Sequence, residues 1–225
     1  MNPRWSGESK TTTADYSIGE EIANSITHGL GIVLSLTGLV VLLISAGNSG
    51  DVSRIISSII FGTTLILLYT VSTLYHGIQQ PNVKPIMRVL DHSAIFFLIA
   101  GSYAPFALVN LKGPWGWSLF GVIWGVALCG TFLEVFLKQR RRGISVGLYL
   151  FMGWAIVIAL KQLLAVVSPE GVLLLFLGGI SYTGGIVFYI WRRLPYHHAV
   201  WHVFVLAGSI FHFFAVLFYA VPSGH

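Results

Sequence analysis

The feature that most constrains this chain is a repeat of apolar runs, each about as long as a bilayer is thick. A helix needs roughly 20 mainly apolar residues to cross the hydrocarbon layer. Seven windows supply them: Ile22–Ala46, Ile55–His76, Leu90–Val109, Trp115–Leu137, Ile144–Val167, Val172–Trp191 and His198–Val221. Breakers and charges separate them: GNSGD at 47–51, QQPNVKP at 79–85, NLKGP at 110–114, KQRRRG at 138–143, SPEG at 168–171 and RRLP at 192–195. In lipid, backbone polar groups must be paired within the protein, so isolated runs of this length predict helices. The expectation is an all-α membrane protein, a bundle of seven transmembrane helices at 22–221, with a polar tail at 1–21 and a short tail at 222–225.

Composition agrees. Of 225 residues 55% are hydrophobic and only 9% charged, whereas a soluble domain carries about 25% charged residues. The formal charge of +5 does not point to nucleic acid, because the basic residues stand singly or in short clusters between apolar runs. The lone cysteine, Cys129, lies inside an apolar run, which excludes an intrachain disulfide and reads as a lipid-facing or packing residue. The first apolar run is too long for a signal-peptide core, so no cleavage is expected.

Short loops allow orientation by the positive-inside rule. With the N-terminus in the cytoplasm, that side carries Arg4, Lys10, Lys84, Arg88, Lys138, Arg140, Arg141, Arg142, Arg192 and Arg193, and the other side only Arg54, Lys112 and Lys161. Ten against three places the N-terminus inside and the C-terminus outside, and supports an odd number of spans.

Ionisable groups inside a span are costly and mark function. Glu134 precedes Lys138 by four residues and reads as an ordinary helix pair, and Lys161 can snorkel outward. The others converge. With alternating directions of travel, Ser72 and His76 end helix 2, Asp91 and His92 begin helix 3, His198 and His202 begin helix 7, and Glu21, Asn24 and His28 begin helix 1, all at one membrane face.

His198 and His202, four apart, share a helix face at a spacing that can hold one metal ion. His76 is at the right depth to make a third ligand, and three protein ligands with an open fourth position are the pattern of catalytic zinc. Asp91 and Ser72, the latter one turn before His76, are placed to reach a water or a substrate oxygen there. The competing reading makes each histidine a hydrogen-bonded packing residue. His212 lies ten residues beyond His202, about 15 Å deeper, and is excluded as a ligand; Glu21, Asn24 and His28 are expected to support the ligands or pack between helices. His92, His197 and His225 are expected not to be ligands.

The same residues carry a family resemblance. Glu21-Ile-Ala-Asn24-Ser-Ile-Thr27-His28, Ser72-Thr-Leu-Tyr-His76 with Asp91, and His198-Ala-Val-Trp-His202 with His212 resemble, in order, the three motifs of the progestin and adiponectin receptor superfamily, specifically its bacterial hemolysin III branch. The resemblance spans nearly the whole chain and implies a location in the bacterial cytoplasmic membrane. It implies Zn2+ held by His76, His198 and His202, with Asp91 and Ser72 beside a bound water. It also implies, from animal members linked to ceramidase activity, a hydrolase acting on a lipid-like amide or ester, with membrane lipids as surroundings. The alternatives are a non-enzymatic sensor or regulator of membrane lipid state with structural zinc, and a haemolysin-like permeabilising activity. A proton pump would need a ladder of carboxylates, which the spans do not show.

Overall fold

A computed structural model describes residues 16–136 and 142–222. Most of the expected tails and most of the basic loop at 138–143 lie outside the described residues, as do Lys138 and His225. Among the described residues, seven helices are long and apolar enough to cross a membrane: α1 (Ile18–Ser49), α2 (Val52–Gly77), α3 (Lys84–Leu111), α4 (Gly113–Phe136), α5 (Gly143–Val166), α6 (Pro169–Ile190) and α7 (His197–Tyr219). There is no strand among the described residues.

The helix ends explain where the boundaries depart from the apolar windows. α1 begins at Ile18, not Ile22, because Ser17 and Glu20 form a reciprocal capping box that extends the helix into its polar flank. α3 starts at Lys84, well before the window at Leu90, with Pro85 in its first turn, where a missing N–H costs nothing. At the C-terminal end of α1, Gly50 takes φ 67, the left-handed conformation that closes a helix and that glycine adopts freely.

Two helices break their regularity. The α-helix of α3 ends at Pro105 and continues as a π-helical segment, Phe106–Leu111, where the proline ring cannot be accommodated against the preceding turn. α5 narrows to a 3-10 segment at Ala155–Ala159. Tyr103 meets the backbone groups freed there: its hydroxyl donates to the Met152 carbonyl at 2.6 Å and accepts from the Ile156 N–H at 3.0 Å. Within a membrane such groups must find a protein partner.

α1 packs along α2, α2 along α3, α3 against α4, and α6 along α7, which returns to α1. A buried cluster around Leu42, Phe61, Leu65, Leu68 and Val216 joins α1, α2 and α7, and a second around Phe96, Tyr103, Ile123 and Met152 joins α3, α4 and α5. Close approach depends on small residues, as it does where apolar burial gives no drive between helices: a Cβ on Gly31 would enter the Tyr69 ring. The outward faces are apolar, with Val33, Leu128, Phe132 and Val187 all exposed, as lipid contact requires. α5 stands off from α3 and α6, and the gap between them is a cavity.

Candidate metal centre

The antiparallel order of neighbours brings the first turns of α1, α3 and α7 and the last turn of α2 to one end of the bundle. There His76, His198 and His202, all buried, each offer a ring nitrogen within 4.8 Å of the other two. Their rings form a near-equilateral triangle, with centroids 5.1 Å (His76 to His198), 5.1 Å (His76 to His202) and 4.5 Å (His198 to His202) apart.

The outer nitrogens show which inner ones are available. His76 Nδ1 donates to Glu21 Oε2 at 2.6 Å, with Asn24 Nδ2 at 3.4 Å from the same nitrogen. His202 Nδ1 donates to the Asn24 carbonyl at 3.2 Å, with Thr27 Oγ1 equally near. Such bonds fix the tautomer and leave Nε2 of each ring as the lone-pair donor, the arrangement that orients metal-binding histidines. Among the described residues, His76 Nε2 and both nitrogens of His198 are buried without a hydrogen-bond partner. Each unsatisfied buried polar atom costs about 1–3 kcal/mol. A cation at the centre of the triangle removes that cost, so the donor set fits a divalent metal ion that favours imidazole nitrogen.

Glu21 is itself held. Its Oε1 accepts from Lys84 Nζ at 2.6 Å, and Lys84 also donates to the Tyr75 carbonyl at 2.8 Å and lies 4.6 Å over the Tyr75 ring. Sequence reasoning missed Lys84 as a site residue, counting it only as a loop charge. The available signal was its spacing: seven residues before Asp91, two helical turns, it shares a face of α3 with that carboxylate. Thr27, too, stands out in the sequence only as part of a motif.

Asp91 and Ser72 are buried and line one cavity together with His28, His198 and His202. Ser72 Oγ has no hydrogen-bond partner among the described residues. His28 stacks on His202, centroids 3.5 Å apart and planes within 13°, and meets the Tyr69 ring edge-on at 5.1 Å. His212 stands apart from the cluster: its Nδ1 donates to the Gly208 carbonyl at 3.0 Å, its ring lies 5.4 Å from Tyr182, and it fills the space that a Cβ on Gly178 would take. Glu134, expected to pair with Lys138, accepts from Ser145 Oγ at 2.8 Å and approaches His92 Nδ1 at 3.8 Å.

The cavity has a volume of about 210 Å³ and reaches from Asp91 and His198 at one end to Leu163 and Val172 at the other. Along α3 its wall runs from Asp91 to Phe106, fifteen residues or about 22 Å. Away from the histidine end its wall is mostly aliphatic and aromatic, with Ser102, Thr183 and His212 as polar members.

A family model described as "Haemolysin-III related" matches residues 16–213. The chain is 44% identical over 214 residues to "Hemolysin-3" of Bacillus cereus, covering 95% of this chain and 98% of that one. It is 50% identical over 206 residues to the "Hemolysin-3 homolog" of Bacillus subtilis (strain 168), covering 92% and 97%. A human protein, "Monocyte to macrophage differentiation factor", is 29% identical over 210 residues, covering 91% and 86%.

Proposed function

The chain belongs to the haemolysin-III-related family, and we propose that it is a zinc-holding membrane hydrolase that cleaves a lipid-like amide or ester at the cytoplasmic end of the bundle. The observation that carries this reading is the pairing of three converging imidazoles with a long apolar cavity that begins at their side and also exposes Asp91 and Ser72. A mostly apolar cavity that meets a cluster of polar groups at one end suits a ligand with a hydrocarbon chain and a polar head. Zinc with three protein ligands and an open fourth position supplies a Lewis acid and lowers the pKa of a water to about 7.

The chain's own residues do the rest. His76 and His202, locked by Glu21 and by the Asn24 carbonyl, present fixed lone pairs. The Asp91 carboxylate can take a proton from a water at the head of the cavity and return it to the departing amine or alcohol. Ser72 Oγ, unpartnered among the described residues, is free to donate to a carbonyl oxygen. The aliphatic walls exclude bulk water, which strengthens each of these interactions.

A second reading, a regulator of membrane lipid state with a structural ion, draws on a different observation. The histidine cluster joins α2 to α7, and through Glu21 and Asn24 to α1, so an ion there would tie three helices without turnover. Metal analysis of the purified protein with a lipid-amide and lipid-ester hydrolysis screen separates the two. The hydrolase reading expects near-stoichiometric zinc and turnover; zinc without turnover of any lipid favours the regulator. Single replacement of His76, His198 or His202 by Ala should strip most of the zinc, while His212→Ala should keep it. Full zinc in His198→Ala protein overturns the ligand set.

A further inference from the structure

Two of the three imidazoles are oriented by hydrogen bonds on Nδ1, and the third is not. Among the described residues His198 has no hydrogen-bond partner on either nitrogen. A ligand ring lacking such a bond needs another restraint on its plane. Aromatic rings provide it: Tyr16 stacks on His198 with centroids 4.9 Å apart and planes 30° apart, and Tyr189 lies at 5.8 Å. Tyr16 also meets His76 edge-on at 5.8 Å and His197 at 5.9 Å. One ring outside α1 thus touches two of the three candidate ligands.

Tyr16 is held there by a strap. It directly precedes Ser17, whose N–H donates to Glu20 Oε2 at 2.9 Å while Glu20 N–H donates back to Ser17 Oγ at 3.3 Å. Glu20 Oε1 accepts from the Tyr196 N–H at 3.0 Å, which pins the turn before α7 to the start of α1. Tyr196 has φ 56, a conformation that a non-glycine residue keeps only where its contacts enforce it. Its hydroxyl lies 2.9 Å from where a Cβ on Gly19 would stand, so the Tyr196 side chain packs closely over the start of α1. Under this strap the unpartnered nitrogens of His76 and His198 are shut off from solvent.

We propose that Tyr16 is a positioning residue of the metal centre: it sets the plane of His198 and closes the aqueous end of the cluster, so that a bound ion exchanges slowly and the cavity inside the bundle is the open approach. The inference rests on the reading of the three histidines as metal ligands. The experiment loads the purified full chain with Zn2+ and follows its release to an excess of chromogenic chelator. Tyr16→Ala should release zinc about 10–100-fold faster, the scale of losing an outer support of a ligand. Tyr16→Phe, which keeps the ring, should release it at close to the wild-type rate. Glu20→Ala, which loosens the strap without touching a ligand ring, should also accelerate release. With Co2+ in place of zinc, the visible spectrum should shift in Tyr16→Ala and not in Tyr16→Phe. Should Tyr16→Ala not be recovered folded, Tyr16→Leu, which fills space without stacking, takes its place. Wild-type release from the Ala or Leu variant, or equally fast release from Tyr16→Phe, overturns the role given to Tyr16 and leaves the metal centre standing. A wild-type chain that takes up no metal overturns both.

Discussion

Glu21 carries two duties that a pair of substitutions can separate. Its two oxygens each take one hydrogen bond of 2.6 Å, from His76 Nδ1 and from Lys84 Nζ, and both Glu21 and Lys84 are nearly inaccessible, with side chains 5% and 9% exposed. Glu21→Gln keeps the shape and removes the charge, leaving the Lys84 ammonium buried beside a neutral amide. Breaking a buried pair from one side costs about 3–5 kcal/mol, most of it the cost of the stranded charge. Lys84→Met strands the carboxylate less completely, because His76 still donates to it, and should cost about 1.5–3 kcal/mol, the worth of a hydrogen bond to a charged group. The double variant Glu21→Gln/Lys84→Met removes both charges and fills the lysine stem, so its cost should fall at least about 2 kcal/mol short of the sum of the singles.

Metal affinity should behave differently. In Glu21→Gln the His76 ring loses its charged acceptor, and zinc affinity should drop about 10–100-fold, which is about 1.4–2.8 kcal/mol. Most of that loss should persist in the double variant, since Lys84→Met relieves the stranded cation's repulsion of the ion but does not restore the acceptor. Unfolding by a denaturing detergent from mild micelles measures the first quantity, and competition with a chelator of known affinity measures the second. Stability losses that simply add would show that Glu21 and Lys84 are not coupled. Zinc affinity recovering along with stability would show that Glu21 supports the fold and does not orient His76.

Other outcomes follow from the same geometry. Asp91→Asn should leave zinc near stoichiometric while lipid hydrolysis falls by about 10²–10⁴; unchanged hydrolysis removes Asp91 from the proposed mechanism. Reporter fusions should place the 138–143 loop in the cytoplasm and His225 outside, and the same compartment for the N-terminus and His225 would contradict the proposed orientation. Gly101→Ala should destabilise by about 1–3 kcal/mol through overpacking, because the added Cβ would stand 2.8 Å from Thr64 Cγ2 and 2.9 Å from Thr64 Cβ. Adding Thr64→Ala should recover most of that loss in detergent unfolding, and failure to do so would place the strain elsewhere.

The seven spans were legible because a bilayer imposes a length and a composition on each helix regardless of its partners, and the chain writes both openly. The pairing of His198 with His202 was legible for a similar reason: spacing four on a helix fixes a shared face before any tertiary contact forms. What the sequence did not reveal depends on how helices are rotated about their own axes. The bond between Glu21 and His76 joins residues 55 apart, and nothing local says that the two faces meet. Lys84 was concealed by Pro85, which reads as a loop signal and is equally at home in a first helical turn. Tyr16 lay outside every apolar window. The 3-10 segment at Ala155–Ala159 has no sequence mark at all; it is legible only through Tyr103, on another helix, whose hydroxyl serves the exposed backbone.

The arrangement of formal charges explains why Lys84 belongs to the site. A carboxylate bonded to an outer imidazole nitrogen strengthens that ligand, but in a medium of low dielectric its negative charge would also offset the charge of the ion it supports. Lys84, 2.6 Å from the same carboxylate, cancels that charge locally, so Glu21 can act on His76 through the hydrogen bond alone. Three neutral imidazoles add nothing, and a divalent ion would then face Asp91 as the remaining formal negative charge on the cavity wall. Among the ion, Glu21, Lys84 and Asp91, one positive charge would then be left over at the polar head of a mostly apolar cavity. A centre with that balance attracts an oxygen that is negative or becoming so, such as the carbonyl oxygen of an amide or ester under attack, and gives no comparable hold on a neutral hydrocarbon. Lys84→Met tests the idea from the opposite direction to Glu21→Gln: with the cancelling cation gone and the acceptor retained, zinc should bind at least as tightly while hydrolysis falls. Hydrolysis that survives Lys84→Met unchanged would mean that the charge left over at the centre is not what draws the substrate oxygen.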